Sequence, residues 1–297
     1  MMLRRRLADR LVTRGNRAAD GGDGDRARRQ YLRASRVDAT WSVPWYNLGI
    51  QAKYAGEWAE SLRCNRQATQ LAPDDKAAWW NLGIAATALH DWTEARRVWR
   101  HLGIDLPEGE GEVAGPGMSA CARLNAFSGE GEVVWGERID PARILILNIP
   151  LPESGHRFRD IVVSDGAVNG QRSADGEDVP VFDELCLWQA SAFGTYQVAL
   201  RVPDGSAESA LMDLCNEREV GIEDWSTIKW ICTECSKGDP GAHECKSDRV
   251  TDGAEKRYAL ATRTEASAQK VLDEWCRTVA GAAYSELELL VLPARSN

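Results

Sequence analysis

Apolar positions in the first third of the chain recur with a helical period, and that pattern itself repeats every 34 residues. Trp45-Tyr-Asn-Leu48-Gly49 aligns with Trp79-Trp-Asn-Leu82-Gly83, and the register holds through Trp58/Trp92, Glu60/Glu94, Arg63/Arg97, Arg66/Arg100 and Pro73/Pro107. Eleven of the 34 aligned positions are identical, where average composition would give roughly two. A degenerate earlier copy places Gly15, Ala27, Tyr31 and Ala34 in the same frame. The spacing predicts three helix pairs over about 8–41, 42–75 and 76–109. Gly49 and Gly83 would let the helices of a pair approach closely. Pro73 and Pro107 suit a first helical turn and forbid an interior. Gly21-Gly-Asp-Gly24, Ala55-Gly56-Glu57 and Leu89-His90-Asp91 fall at the turn inside each pair. Asp20, Asp23 and Asp25 therefore read as turn and cap residues; the calcium-loop pattern with its later glutamate is missing. Units this short cannot bury their apolar faces alone, so they must stack, which leaves a concave groove.

After Gly117 the period changes from helical to alternating, marking a domain boundary. Ala120–Leu124, Val133–Ile139, Arg143–Ile149, Asp160–Val163 and Val181–Leu187 read as five short strands, and 165–180 as a polar loop. Strands at this spacing predict a small β-barrel, SH3-like or OB-like, over 118–190. Residues 193–297 read strand Tyr196–Val202, helix Ser206–Glu217, extended segments Ile222–Cys232 and Lys256–Thr262, helix Glu265–Ala280 and strand Tyr284–Leu292. The order βαββαβ predicts a ferredoxin-like α+β domain.

The letters Trp45, Leu48, Gly49, Ala68 and Pro73, with Trp79, Leu82, Gly83, Ala95 and Pro107, resemble the tetratricopeptide repeat (TPR). The resemblance covers an array of three repeats within 1–112 and implies an all-α superhelix. It implies that each first helix lines the groove, with Asn16, Val43, Tyr46, Asn47, Ile50, Lys53, Tyr54, Ala77, Trp80, Asn81 and Ile84 facing a bound peptide. Asn47 and Asn81 suit an extended backbone, and Tyr46 and Trp80 supply aromatic area. Some family members clamp a chaperone's terminal carboxylate with basic residues; Val12, Ala77 and Asn81 stand where those are needed, so a chaperone tail is not the expected ligand. The C-terminal half is similar to bacterial repeat-linked proteins of no assigned activity, through Val134–Pro141, Pro150–Phe158 and Cys232–Ser236.

Charge narrows the partners. Up to Glu108 the chain has 18 Lys/Arg against 13 Asp/Glu, and beyond it 18 against 32. The acidic second half argues against a nucleic-acid surface there. Arg4, Arg5, Arg6, Arg10, Arg14 and Arg17, with aspartates close by, read as a solvated helix face. No segment reaches 18 consecutive apolar residues, so no span and no membrane partner is expected. Met1 to Arg6 is not followed by an apolar run, so no secretory signal is expected. Eight scattered cysteines fit a reducing, cytoplasmic location, and 29 arginines against 7 lysines fit a GC-rich bacterial genome.

One cluster could carry chemistry. Cys232, Cys235, His243 and Cys245 lie within 14 residues of a Gly/Pro loop. Three thiolates and one imidazole complete a tetrahedral structural Zn2+ site with no open position; unmetallated thiols and a redox pair are the alternatives. Cys64, Cys121, Cys186, Cys215 and Cys276 sit in apolar patterns and read as core. His156, between Glu153 and Asp160, lacks a nucleophile or a second carboxylate at fixed spacing, so it reads as structural. No phosphate loop, nucleophile elbow or dinucleotide fingerprint is present. The expectation is a non-enzymatic adaptor binding a peptide or protein segment in the groove. The alternative is a bacterial enzyme or small-ligand sensor with a site between the barrel and the ferredoxin-like domain, near His156.

Overall fold

The computed structural model describes residues 2–115, 117–127, 131–174, 176–228 and 256–294. The chain divides into two compact units, Met1–Pro116 with Asp140–Ala142, and Gly117–Ile139 with Arg143–Asn297.

The first unit holds helices α1 (Met2–Asp20), α2 (Gly24–Val37), α3 (Ser42–Tyr54), α4 (Trp58–Leu71), α5 (Lys76–Ala88) and α6 (Trp92–His101). These are three TPR-like pairs. A glycine brings each pair together: a methyl group at Gly15, Gly49 or Gly83 would overlap Tyr31, Asn65 or Trp99 respectively. Both members of this contact recur every 34 residues. The turns inside the pairs repeat too, with a positive φ at Gly22 (77°), Gly56 (70°) and His90 (59°). Asp23 and Asp91 then cap the next helix, accepting from Arg26 N at 2.9 Å and Glu94 N at 3.1 Å.

The repeated identities have a shared geometry. Arg63 forks onto Glu60 at 2.7 and 2.8 Å and lies over the Trp45 ring at 5.4 Å. Arg97 does the same one period on, to Glu94 at 2.6 and 2.9 Å and over Trp79 at 4.9 Å. The arginine hydrogen bonds hold both glutamates below the usual carboxylate range. Arg66 extends the second pair across the stack, donating to Glu94 at 3.0 Å.

Among the described residues no helix follows α6 in this unit, yet Val98 and Trp99 are fully buried. The segment after α6 folds back over Arg96. Arg96 donates to the carbonyls of Pro107 (2.7 Å), Gly111 (2.9 Å) and Glu112 (3.0 Å).

The second unit contains two sheets. Strands β1 (Met118–Leu124), β2 (Glu132–Asp140), β3 (Arg143–Ile146), β4 (Ile161–Ala174) and β5 (Glu177–Gln189) close into a barrel in simple chain order. β1 pairs with β2 antiparallel and with β5 parallel. Ala120, Ala122, Leu124, Val134, Ile144, Ile146, Val162 and Phe182 fill its interior. The expected polar loop over 165–180 is corrected by the structure: most of it is a long β4–β5 hairpin. Register shifts at Val163/Ser164, Ser164/Val168 and Val168/Gln171 break the two-residue alternation, and that hid the strands.

The second sheet has the order β10-β6-β8-β7, where β6 is Gly194–Arg201, β7 Gly221–Asp224, β8 Lys256–Thr262 and β10 Glu288–Val291. The short β9 (Ala283–Tyr284) also pairs with β6, so the single closing strand expected from Tyr284 to Leu292 is split in two. Helices α7 (Gly205–Glu217) and α8 (Glu265–Thr278) share a core with one face, through Leu211, Cys215, Val271, Leu272 and Trp275 against Tyr196, Val198, Leu200, Tyr258 and Leu260. Strand alternation turns Ala259 and Ala261 to the opposite face. There they pack with Ile149, Phe193 and Trp225.

Candidate functional site

The residues expected to line the groove fall into three groups. Asn16, Tyr54 and Ala77 are exposed; Val43, Tyr46, Asn47, Ile50 and Trp80 are half-buried; Lys53, Asn81 and Ile84 are buried. Ile84, expected on the binding face, is fully enclosed and offers it no surface. The cause lies in α5 itself. Its sequence Lys-Ala-Ala-Trp-Trp-Asn-Leu-Gly-Ile-Ala-Ala-Thr-Ala is apolar on nearly every side, and a helix apolar all round is buried all round.

What the structure does bring together is a polar seam along successive first helices. Asn47 Nδ2 donates to Asn16 Oδ1 at 3.3 Å, joining α3 to α1, and the Tyr31 hydroxyl donates to the same oxygen at 2.9 Å. Lys53 Nζ donates to Asn81 Oδ1 at 3.0 Å, joining α3 to α5. That ammonium also lies 4.5 Å from the centre of the Tyr54 ring, which is 52% exposed. Trp80 meets Trp99 edge to face, with centroids 5.3 Å apart. Gln51, which the family pattern did not single out, adds a further bond by donating to the Gly24 carbonyl at 3.1 Å. The groups of the seam that reach the surface are the Asn16 and Asn47 amides and the Tyr54 phenol, suited to an extended backbone and an aromatic or cationic side chain.

A second polar cluster lies in the other unit, where β3 runs on toward the second sheet. His156 Nε2 is 2.7 Å from Glu184 Oε1, and its Nδ1 is 2.9 Å from the Ser154 carbonyl. Both neighbours only accept, so both ring nitrogens donate and the imidazole carries charge. Burial works to lower the pKa of His156, but the hydrogen bond and charge of Glu184 outweigh it and hold the pKa above the ordinary 6.5. Three more carboxylates, Asp160 buried and Glu132 and Glu223 half-buried, take backbone N–H groups. Glu132 accepts from Leu151, Glu223 from Ile149, and Asp160 from both Arg157 and Ser191. Burial raises the pKa of all three, that of Glu132 to about 7. Neither nitrogen of His156 is left to accept a proton, and the adjoining interface is filled by Ile149, Leu151, Phe158, Phe193 and Trp225. The cluster clamps the 148–160 loop.

The proposed metal ligands Cys232, Cys235, His243 and Cys245 lie outside the described residues. Of the other cysteines, Cys64, Cys121 and Cys215 are buried, while Cys186 and Cys276 are partly so. Burial pushes the thiols of Cys64 and Cys215 up to about 12 and those of Cys121 and Cys186 to about 11, which leaves negligible thiolate at neutral pH. Among the described residues no helix is long and apolar enough to cross a membrane.

No protein-family model matches the chain, and no curated protein sequence matches it. Among solved structures it is similar to the second TPR of Spaghetti (RPAP3) bound to an HSP90 peptide, with 22% identity and a TM-score of 0.32 over 34% of this chain and 89% of that one. It is similar to the Arabidopsis OM64 TPR domain at 17% identity and a TM-score of 0.31, over 33% of this chain and 81% of that one. A hypothetical protein from Neisseria gonorrhoeae gives 14% identity and a TM-score of 0.26, over 61% of this chain and 99% of that one. The 34-residue helix pairs of the chain itself, not these likenesses, define the array.

Proposed function

We propose that this chain is a non-enzymatic adaptor that holds a peptide or protein segment against α1, α3 and α5. The observation that carries the reading is the seam of Asn16–Asn47 and Lys53–Asn81 hydrogen bonds beside the half-exposed Tyr54 ring. Amide side chains already held in place lose little entropy on binding, which favours recognition by a preorganised surface. In the solved structure of the second TPR of Spaghetti (RPAP3), the partner is an HSP90 peptide; the occupant proposed here is of a different class, because the basic carboxylate clamp is missing. Affinity capture with the whole chain and with an N47A/Y54A variant tests the proposal. The variant is expected to retain the fold and to lose at least tenfold in recovery of the captured partner, equivalent to about 1.4 kcal/mol. Equal recovery by both proteins sinks it.

The same reading takes the second sheet as ferredoxin-like, supported by its order β10-β6-β8-β7 with α7 and α8 on one face. The barrel follows simple chain order without a Greek-key crossover, which favours the SH3-like over the OB-like option. Cys232, Cys235, His243 and Cys245 are proposed as a structural zinc site that staples the loop carrying them. Protein purified without chelator is expected to hold about one zinc per chain, by elemental analysis. Metal-free protein of native stability would overturn the site. A cytoplasmic location is part of the proposal, since free thiols persist in reducing compartments.

A further inference from the structure

The first helix is longer than the repeat needs. α3 and α5 begin at Ser42 and Lys76, which correspond to position 8 of the first copy, but α1 begins at Met2. Six residues, about 9 Å of helix, therefore run past the frame in which helices stack. They carry three exposed apolar side chains: Met2 at 82%, Leu3 at 81% and Leu7 at 50%. At 100° per residue, Leu3, Leu7, Arg10 and Arg14 form one line along the helix, with Arg6 and Arg17 beside it and Asp9 turned well away. All four of these arginines are exposed. Arg5 is already committed, pairing with Asp38 at 2.6 Å and lying over Trp41 at 4.9 Å. The buried residues Ala8, Leu11, Val12, Gly15 and Ala18 occupy the adjoining face, with Leu11 one turn on from Leu7, and anchor the helix in the array.

We propose that this face of α1 docks on the surface of an anionic lipid bilayer, with Leu3 and Leu7 entering the headgroup boundary and Arg6, Arg10, Arg14 and Arg17 meeting the lipid phosphates. Two features select that occupant. Four arginines flanking two leucines give the pairing of charge and apolar insertion that anionic membranes bind. A second copy placed face to face would set arginine against arginine. The contact is peripheral and needs no spanning helix.

Flotation of the whole chain with phosphatidylcholine vesicles, with and without phosphatidylglycerol, tests this. The chain is expected to float with the anionic vesicles alone and to be released by high salt. L3E/L7E is expected to abolish flotation, and R10Q/R14Q/R17Q to lower the partition coefficient about a hundredfold, from roughly fivefold per arginine. Circular dichroism of both variants should match the wild type, because every altered side chain is exposed. Failure to float with anionic vesicles, equal binding to neutral ones, or unchanged binding by L3E/L7E would each overturn the proposal. Sedimentation showing self-association that L3E/L7E removes, without vesicle binding, would assign the face to a second copy and overturn it as well.

Discussion

Replacing His156 with alanine is expected to cost about 3–5 kcal/mol of stability at neutral pH, the range for stripping one partner from a buried pair. His156 and Glu184 have side chains only 8% and 7% exposed, so neither can recover its lost partner from water. Without the imidazolium, Glu184 keeps, among the described residues, the Asn125 backbone N–H, at 2.8 Å. The loss should spread to the 148–160 loop, because the Ser154 carbonyl bonded to Nδ1 also accepts from Asn125 Nδ2 at 2.9 Å. The double variant H156A/E184Q removes the buried charge along with its partner and should recover part of the loss. Urea denaturation of the three proteins measures it. A cost below about 1 kcal/mol for H156A would mean that the pair is not desolvated as its burial requires.

The pH dependence follows from the direction of the shift. The folded-state pKa of His156 lies above the ordinary 6.5, so the folded protein holds this proton more tightly than the unfolded chain. The contribution of the pair is complete below about 6.5 and is lost as pH rises through the raised folded value. Glu132 acts in the same sense. Its carboxyl, with a pKa raised by burial from 4.5 to about 7, retains its proton when folded, so stability declines as pH rises between those values. The wild type should therefore be less stable at pH 9 than at pH 6, and the gap to H156A should narrow over that interval.

The array was legible because its geometry depends on residue types that few others can replace. Gly49 and Gly83 are required by helix contact, and the Glu60/Arg63/Trp45 and Glu94/Arg97/Trp79 stacks keep their letters because charge, fork and ring must meet together. The partners of those glycines were not legible, since Tyr31, Asn65 and Trp99 share a position but no chemistry. Arg96 was hidden for another reason. A charged residue on an amphipathic helix reads as solvent-facing, yet it is 6% exposed, because the chain segment 107–112 lies over it and its carbonyls accept from the guanidinium. The 148–160 clamp was harder still. Glu132, His156, Glu184 and Glu223 come from four separate stretches, and no local spacing records that they meet. Of the residues expected in the groove, Asn16, Asn47, Lys53 and Asn81 came from the family frame, which does not record that Asn16 bonds to Asn47 and Lys53 to Asn81. The enclosure of Ile84 could have been read from the all-round apolar character of α5.

Substituting Gly83 with alanine is expected to be the most damaging of the three equivalent glycine changes, at about 3 kcal/mol, the upper end for overpacking a close contact. The new methyl group would overlap the Trp99 indole, a ring that is fully buried and cannot move without displacing its neighbours. At Gly49 the obstructing group is the Asn65 amide, a smaller side chain hydrogen-bonded to Ser61, and at Gly15 it is the Tyr31 ring edge, 4% exposed. The order of cost should therefore be Gly83 above Gly15 and Gly49, although the three letters are identical. The consequence extends beyond α5 and α6. Trp99 also meets the Trp80 ring, and Asn81 on α5 accepts the Lys53 bond, so prying α5 from α6 disturbs the groove at its third repeat. G83A should lose captured partner in parallel with stability, whereas N47A/Y54A should lose partner with stability nearly unchanged. Urea titrations read beside affinity capture separate these two routes. If G83A unfolds early yet binds like the wild type below its transition, the third repeat contributes nothing to the groove, and the proposed site contracts to Asn16, Asn47 and Tyr54.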